Sequence, residues 1–394
     1  MDFRFTPAQE QFRQEVRSFL KEWVPKFAGE ARKYEREGEE DDARFSPGFS
    51  RLMGQKGWIG LAWPREHGGR GLSHIERLIF NEECIYNRAP TAFHVAAERQ
   101  FAPSIMVHGT EEQKRSFIPR IARGEIGFAI GYTEPNVGSD LASLETRATQ
   151  DGDDYVISGQ KLWAGGAHVA DYIWLAARTN PNSPKHKGIS VFIVDMKTPG
   201  IRVRPFRSMA EGRYNEIFFD NIRVPASTMI GEKDRGWYVV ASNLDLERSG
   251  IERVLNNYLL LEDVLAFCQE TRSKGETLAN MPLVRSRLAD RFIETEAGRM
   301  LSYRVAWVQN CGMSPGHEAS TAKLFGSELG QRIAGTCIQI MGIYGQLGKG
   351  SKWAPLKGRV EHRYLASMSD TIRGGTSEVQ RTILARRGLG LGVG

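Results

Sequence analysis

A glutamate stands where a buried helix asks for a leucine. Trp237, Val240, Leu244, Glu247, Ile251, Val254, Tyr258 and Leu261 recur at steps of three and four, the spacing of a buried seam. Glu247 is the one carboxylate among them, within the stretch LDLERSGIERVLNNYLLLEDVL. An unpaired buried carboxylate is costly, and burial raises its basicity. Such groups gather at reactive sites, and the chemistry they suit is proton abstraction. The competing reading is a seam residue that reaches solvent or an arginine, with Arg248 and Arg253 close by in sequence.

A second candidate region is FAIGYTEPNVGSDLASLETRA, residues 128–148. An apolar run ends in Thr-Glu-Pro and is followed by a Gly-Ser-Asp turn. Backbone N–H groups near Gly138, with the hydroxyls of Thr133 and Ser139, are suited to an anionic or hydrogen-bonding ligand. Taken alone this is also an ordinary loop. It gains weight from SGQKLW at 158–163 and IRVP at 222–225, which follow in a strand-rich region.

Other chemistries find little support. Cys84, Cys268, Cys311 and Cys337 form no CxxC pair, so neither a zinc site nor a disulfide framework is expected, and a reducing, cytoplasmic setting fits. Three of them sit in apolar helical stretches and read as core. The eight histidines show no HExxH spacing, so no metal is expected. The net charge of +6 is spread among alternating signs. No basic run with interleaved aromatics suggests nucleic acid. No apolar run of about 18 residues suggests a membrane span, and the N-terminus lacks the apolar core of a signal peptide. It reads instead as a helix start, with Thr6 as cap, Pro7 in the first turn and Gln9 completing a capping box.

The elements that position these residues follow from periodicity. A chain of 394 residues predicts two or three lobes. Residues 1–125 read as an N-terminal helical domain, with QEQFRQEVRSFLKEWV and HIERLIFNEECIYN at helical spacing and WPREHGGRG as a loop. Residues 126–235 change to short β-branched and aromatic runs split by turns, predicting a compact antiparallel β domain, a barrel or sandwich. Residues 236–394 return to the helical period. The fold class is α+β, in an α–β–α order without flexible linkers.

The motifs together resemble the acyl-CoA dehydrogenase family over nearly the whole chain. The resemblance is carried by GWIGLAWPREHGGRG, YTEPNVGSD, DDYVISGQKLW, DNIRVPAS, QIMGIYG and GGTSEVQRTILAR. It implies a C-terminal four-helix bundle, bound FAD and a tetramer. It implies α,β-dehydrogenation of an acyl-CoA thioester to the trans-2-enoyl-CoA. A carboxylate takes the α-proton, flavin N5 accepts the β-hydride, and hydrogen bonds to the thioester carbonyl stabilise the developing enolate. Many members carry the base in a YEGT-like motif before the last helix. Here that stretch is IRGGT, with Gly374 at the base position. A second branch, similar to isovaleryl- and long-chain-type enzymes, keeps the base in an LDLER-like motif, and Glu247 matches it.

The same resemblance implies roles elsewhere. Thr133 and Trp163 match positions that line the flavin ring. Gly165 stands where a Ser or Thr hydroxyl commonly approaches N5, and its backbone N–H would have to serve instead. Ser139 matches a residue touching cofactor and the CoA portion. Arg272 matches an arginine reaching FAD phosphates of a neighbouring subunit, but RSKGE lacks the aromatic that normally stacks on adenine. Gln339 and Gly342 match a QxxGG-type turn in which Ile343 and Tyr344 replace smaller residues. Thr376 and Glu378 match the last FAD-contacting stretch, at a helix start suited to phosphate. Arg248, Gly374 and Gly375 are placed beside the substrate.

The missing side chain at Gly374 predicts room for bulky, branched, cyclic or aromatic acyl groups, steroid side chains included. Arg99 and Arg373 are candidates to face a substrate carboxylate, though a surface or structural role competes. Electron-transferring flavoprotein is the implied acceptor. Two further readings stay open: a flavin monooxygenase or oxidase on the same fold, and a subunit of a hetero-oligomeric dehydrogenase.

Overall fold

The computed structural model describes residues 4–36, 45–210, 212–247, 251–273 and 275–392. The first lobe is helical: α1 (Pro7–Arg36), α2 (Pro47–Gln55), α3 (His74–Tyr86), α4 (Ala92–Ala96), α5 (Ala102–His108) and α6 (Glu111–Ala122). Its starts are written in side chains. Thr6 N–H donates to Gln9 Oε1 at 3.0 Å, and Gln9 N–H to Thr6 Oγ1 at 3.2 Å. Ser73 and Glu76 cap α3 reciprocally, as Thr110 and Gln113 cap α6. Gln113 also donates to Ser227 O at 2.7 Å and Met229 O at 2.8 Å, joining the start of α6 to the β lobe.

The second lobe holds β1 (Phe128–Gly131), β2 (Arg147–Asp151), β3 (Asp154–Lys161), β4 (Tyr172–Arg178), β5 (Ile189–Asp195), β6 (Ile201–Arg207), β7 (Arg213–Pro225) and β8 (Met229–Ile230). They form one sheet in the order β6-β7-β3-β2-β4-β5-β8, with β1 along β4. Two details differ from expectation. The sheet is open, with β6 and β8 at its two ends, so no closed barrel forms among the described residues. It is also mixed, since β1 and β2 each pair parallel with β4. The loop after β1 returns the chain to the sheet in the same sense, which a run of simple hairpins cannot do.

β4 and β5 explain why the sheet sits between lobes. Trp174, Ala176, Val191 and Ile193 join the core of the first lobe, while Ile173, Leu175, Ala177, Phe192 and Val194 join the β lobe's own core. A period of two thus feeds two cores, and these strands read as continuous apolar runs.

The third lobe begins with α7 (Gly236–Glu247) and α8 (Glu252–Glu270). A small hairpin, β9 (Arg272–Ser273) and β10 (Glu276–Thr277), precedes α9 (Pro282–Asn310), α10 (Gly316–Met341), α11 (Arg359–Asp370) and α12 (Ser377–Ile383). The seam read from sequence is therefore shared by two helices, α7 and α8. Val240, Ile251, Val254 and Leu261 are buried as its period requires. α7 packs on β5 and α5, away from the bundle that α8, α9, α10 and α11 form. Cys84, Cys268 and Cys337 are buried as core; burial pushes the thiols of Cys268 and Cys337 up to about 11 and about 12. Cys311 is exposed. No described helix is long and apolar enough to cross a membrane.

Candidate functional site

The end of β1 and the end of β3 meet through a buried ion pair. Lys161 is fully buried and donates to Glu134 Oε1 at 2.8 Å and Tyr132 O at 3.1 Å. Glu134 also accepts the N–H groups of Glu145 at 2.6 Å and Thr146 at 2.9 Å. Burial, only partly offset by Glu134, brings the Lys161 ammonium down to about 8. Burial works against the Glu134 carboxylate, yet Lys161 and the backbone donors hold it below the ordinary range. Directly beside this pair, Leu162 N–H donates to Thr133 O at 2.8 Å. Thr133 and Trp163 are brought together in this way.

Trp163 has φ +63° and leaves its ring 51% exposed. The rings of Phe206 and Tyr214 stand edge-on to it at 5.0 and 5.3 Å. A side chain built on Gly165 would meet nothing within 4 Å. The result is an aromatic wall with open room beside Gly165. Ser139 is exposed on the Gly-Ser-Asp turn.

A second assembly lies at the start of α12. Thr376 Oγ1 accepts from Val379 N–H at 3.3 Å, capping the helix. Thr376 and Glu378 border a cavity of about 650 Å³, with Gln331, Arg332, Thr371 and Arg381 among its walls. Gly374 and Gly375 form the preceding turn at φ +67° and +87°. Their carbonyls are held from behind: Gln380 Nε2 donates to Gly374 O at 3.1 Å and Gly375 O at 3.2 Å, and buried Lys323 to Gly375 O at 2.6 Å. Arg272, Gln339 and Gly342 are exposed and none lines this cavity.

Glu247 closes α7, but its side chain lies outside the described residues, as does Arg248. Two arginines considered for a substrate carboxylate already hold carboxylates of this chain. Arg99 Nη1 meets Glu252 Oε1 at 2.9 Å, and Arg373 Nη2 meets Asp370 Oδ1 at 2.7 Å. Both partners are held in the charged form. Burial opposes this at Glu252 and Asp370, but Arg99 at the first, and Arg363 with Arg373 at the second, outweigh it. Buried Glu98 nearby is pushed up by burial, against the pull of Arg77 and Arg99.

Sequence reading missed Lys161, Lys323 and the cavity walls Gln331, Arg332 and Arg381. Lys161 had a signal, since it falls on an inward position of β3. Lys323 had a fainter one, a lysine in an otherwise small and apolar stretch of α10.

Comparison with known proteins covers all three lobes. The description "Acyl-CoA dehydrogenase, N-terminal domain" matches residues 6–125, the middle domain residues 129–222 and the C-terminal domain residues 234–389. Acyl-CoA dehydrogenase FadE26 of Mycobacterium tuberculosis is 38% identical across 99% of both chains, and FadE29 of the same organism 35% identical across 98% of this chain and 97% of its own. Two solved assemblies match over 100% of both chains. They are the Tcur3481-Tcur3483 steroid ACAD, at TM-score 0.89 and 35% identity, and the ChsE4-ChsE5 complex from Mycobacterium tuberculosis, at 0.88 and 37%. The chain belongs to the acyl-CoA dehydrogenase family, and its activity is the dehydrogenation of an acyl-CoA. The cofactor this implies is a flavin, and the half-exposed Trp163 with open room beside Gly165 leaves space for a ring there.

Proposed function

We propose that this protein is an FAD-dependent dehydrogenase for bulky acyl-CoA thioesters, with Glu247 as the base that removes the α-proton. The observation that carries the assignment is an exchange between two positions. The turn before α12 has glycine at 374, at φ +67°, and carries no carboxylate, whereas α7 ends in Glu247. The bound flavin supplies the hydride acceptor. The chain's own parts do the rest. Lys161 and Glu134 brace the strand ends that present Thr133 and Trp163, and Gln380 with Lys323 fixes the glycine turn. Rigid backbone there favours a thioester held for enolate formation. The likeness to the Tcur3481-Tcur3483 steroid ACAD supports a bulky acyl group.

The site is shared between chains in this reading. Its support is that Arg272, Gln339 and Gly342 are exposed outside the cavity bordered by Thr376 and Glu378. A neighbouring copy or an unlike subunit brings the matching residues to it. The setting is cytoplasmic, and the electron acceptor is an electron-transferring flavoprotein.

The test is anaerobic mixing of the purified flavoprotein with straight, branched, aromatic, dicarboxylic and steroid acyl-CoAs. Loss of flavin absorbance with the bulky classes is the expected result. Bleaching by straight chains alone would refute the substrate class. Oxygen consumption on substrate addition would favour an oxidase or monooxygenase.

A further inference from the structure

Residues 162–166 carry the chain from the end of β3 into the loop before β4. Trp163 in their middle has φ +63°, a left-handed conformation that a bulky side chain rarely takes. Such a conformation persists only where its surroundings over-determine it, and it gathers at functional sites. Here the backbone is pinned on both sides of it. Before it, Leu162 N–H donates to Thr133 O at 2.8 Å; after it, Ala164 N–H donates to Asn215 O at 3.0 Å.

Asn215 supplies the second pin because of where β3 stops. Its pairing with β7 ends at Lys161 opposite Ile217, so the first residues of β7 have no strand beside them on that side. Tyr214 and Asn215 point to opposite sides there, as neighbours on a strand do. Tyr214 stands against the Trp163 ring, and Asn215 is 0% exposed. The Asn215 side chain returns to the same residue. Its Nδ2 donates to Ala164 O at 2.9 Å and reaches His168 Nδ1 at 3.4 Å. Ala164 is thus held by both its N–H and its carbonyl. The carboxamide cannot turn over, because Oδ1 would then oppose the Ala164 oxygen. In this orientation Asn215 Oδ1 is a buried acceptor with no donor among the described residues, a cost set against the clamp.

The Ala164 carbonyl and the Gly165 N–H belong to one planar trans peptide unit and point opposite ways. Fixing Ala164 O on buried Asn215 therefore turns the Gly165 N–H away from the core. Gly165 is exposed, its N–H has no acceptor among the described residues, and a side chain built on it would meet nothing within 4 Å. A donor held still in open room is preorganised for a ligand acceptor. We propose that Asn215 is a positioning residue for the flavin: by clamping Ala164 it aims the Gly165 N–H at an acceptor atom of the bound ring. Asn215 does not itself reach the ring. The inference rests on the reading that seats the flavin beside Trp163 and Gly165.

The test compares wild type with Asn215→Leu, Asn215→Ser and Gly165→Ala. Three quantities are read: the FAD dissociation constant by equilibrium dialysis, the visible absorption spectrum of the bound flavin, and the denaturant midpoint of the flavin-free chain. Leucine has no donor for Ala164 O, and serine is too short to reach it but forces no clash. Both should weaken FAD binding by roughly tenfold and shift the flavin spectrum in the same way. Gly165→Ala should leave the midpoint unchanged, because its Cβ has room in the free chain, yet weaken FAD binding, because the ring needs that room. Wild-type affinity and spectrum in both position-215 variants would overturn the role. A lowered midpoint with unchanged affinity would overturn it too, since it marks Asn215 as structural only. Unchanged FAD binding in Gly165→Ala would show that the ring lies elsewhere, and would sink the seating of the flavin together with this inference. Weakened binding there with intact position-215 variants would sink this inference alone.

Discussion

Lys161 shows how one side chain can hold a site it does not touch. Its ammonium is fully buried and joins the ends of β1 and β3 through Tyr132 O and Glu134. Lys161→Met should cost about 3–5 kcal/mol in denaturant unfolding, because Glu134 is left buried without its cation. A loss below about 1 kcal/mol would show the pair to be dispensable. Gly374 makes a second case. From sequence its missing side chain reads as added room. The structure adds a backbone reason, since φ +67° disfavours any side chain. Gly374→Ala should therefore cost about 1–2 kcal/mol, measured the same way, as a non-glycine residue in the left-handed region does. No loss would mean the turn relaxes freely. Arg99 and Arg373 were legible as charges but not as paired ones. The partner of Arg99 is 153 residues away in sequence, and no local pattern reports such a contact.

At the scale of elements, periodicity carried most of the fold. The capping box at Thr6 and Gln9, the helices of the first lobe, and the change to strands all follow from local spacing. The π turn at Ala97–Phe101 did not, because a proline at 103 normally argues for a helix end, and here the widened turn carries the helix past it. The sheet's parallel pairs were hidden too, since strand order is set by which runs share a core and not by each run's pattern. The junction of α2 and α4 offers a test of packing by pH. His94 is buried with Nδ1 2.8 Å from Ser50 Oγ, and burial brings it down to about 4 from 6.5. Between those values the unfolded chain binds a proton that the folded chain refuses. Stability is therefore complete above pH 6.5 and falls as pH drops toward 4, by up to about 3 kcal/mol. Denaturant midpoints at pH 7 and pH 5 should differ in that sense, and His94→Gln should flatten the difference. A wild-type protein equally stable at both values would contradict it.

The molecule as a whole leaves large apolar side chains in water. Ile343, Tyr344 and Trp353 are 75, 53 and 65% exposed, in the stretch between α10 and α11. Exposed aromatic groups of this kind mark association surfaces. Tyr344→Glu should lower the mass measured by light scattering, and an unchanged mass would place the interface elsewhere. The family was legible in the sequence because its motifs sit at turns and strand ends that must keep particular residues. The acyl group was not, because a substrate pocket is set by contacts between distant stretches that no local pattern reports. The central claim remains Glu247, and the most direct measurement is anaerobic stopped-flow reduction of the flavin by the best acyl-CoA, wild type against Glu247→Gln. The variant should keep its flavin and bind the thioester, while the rate of bleaching falls by about two to four orders of magnitude, the usual contribution of a positioned base. A variant that bleaches at the wild-type rate would remove Glu247 from the reaction.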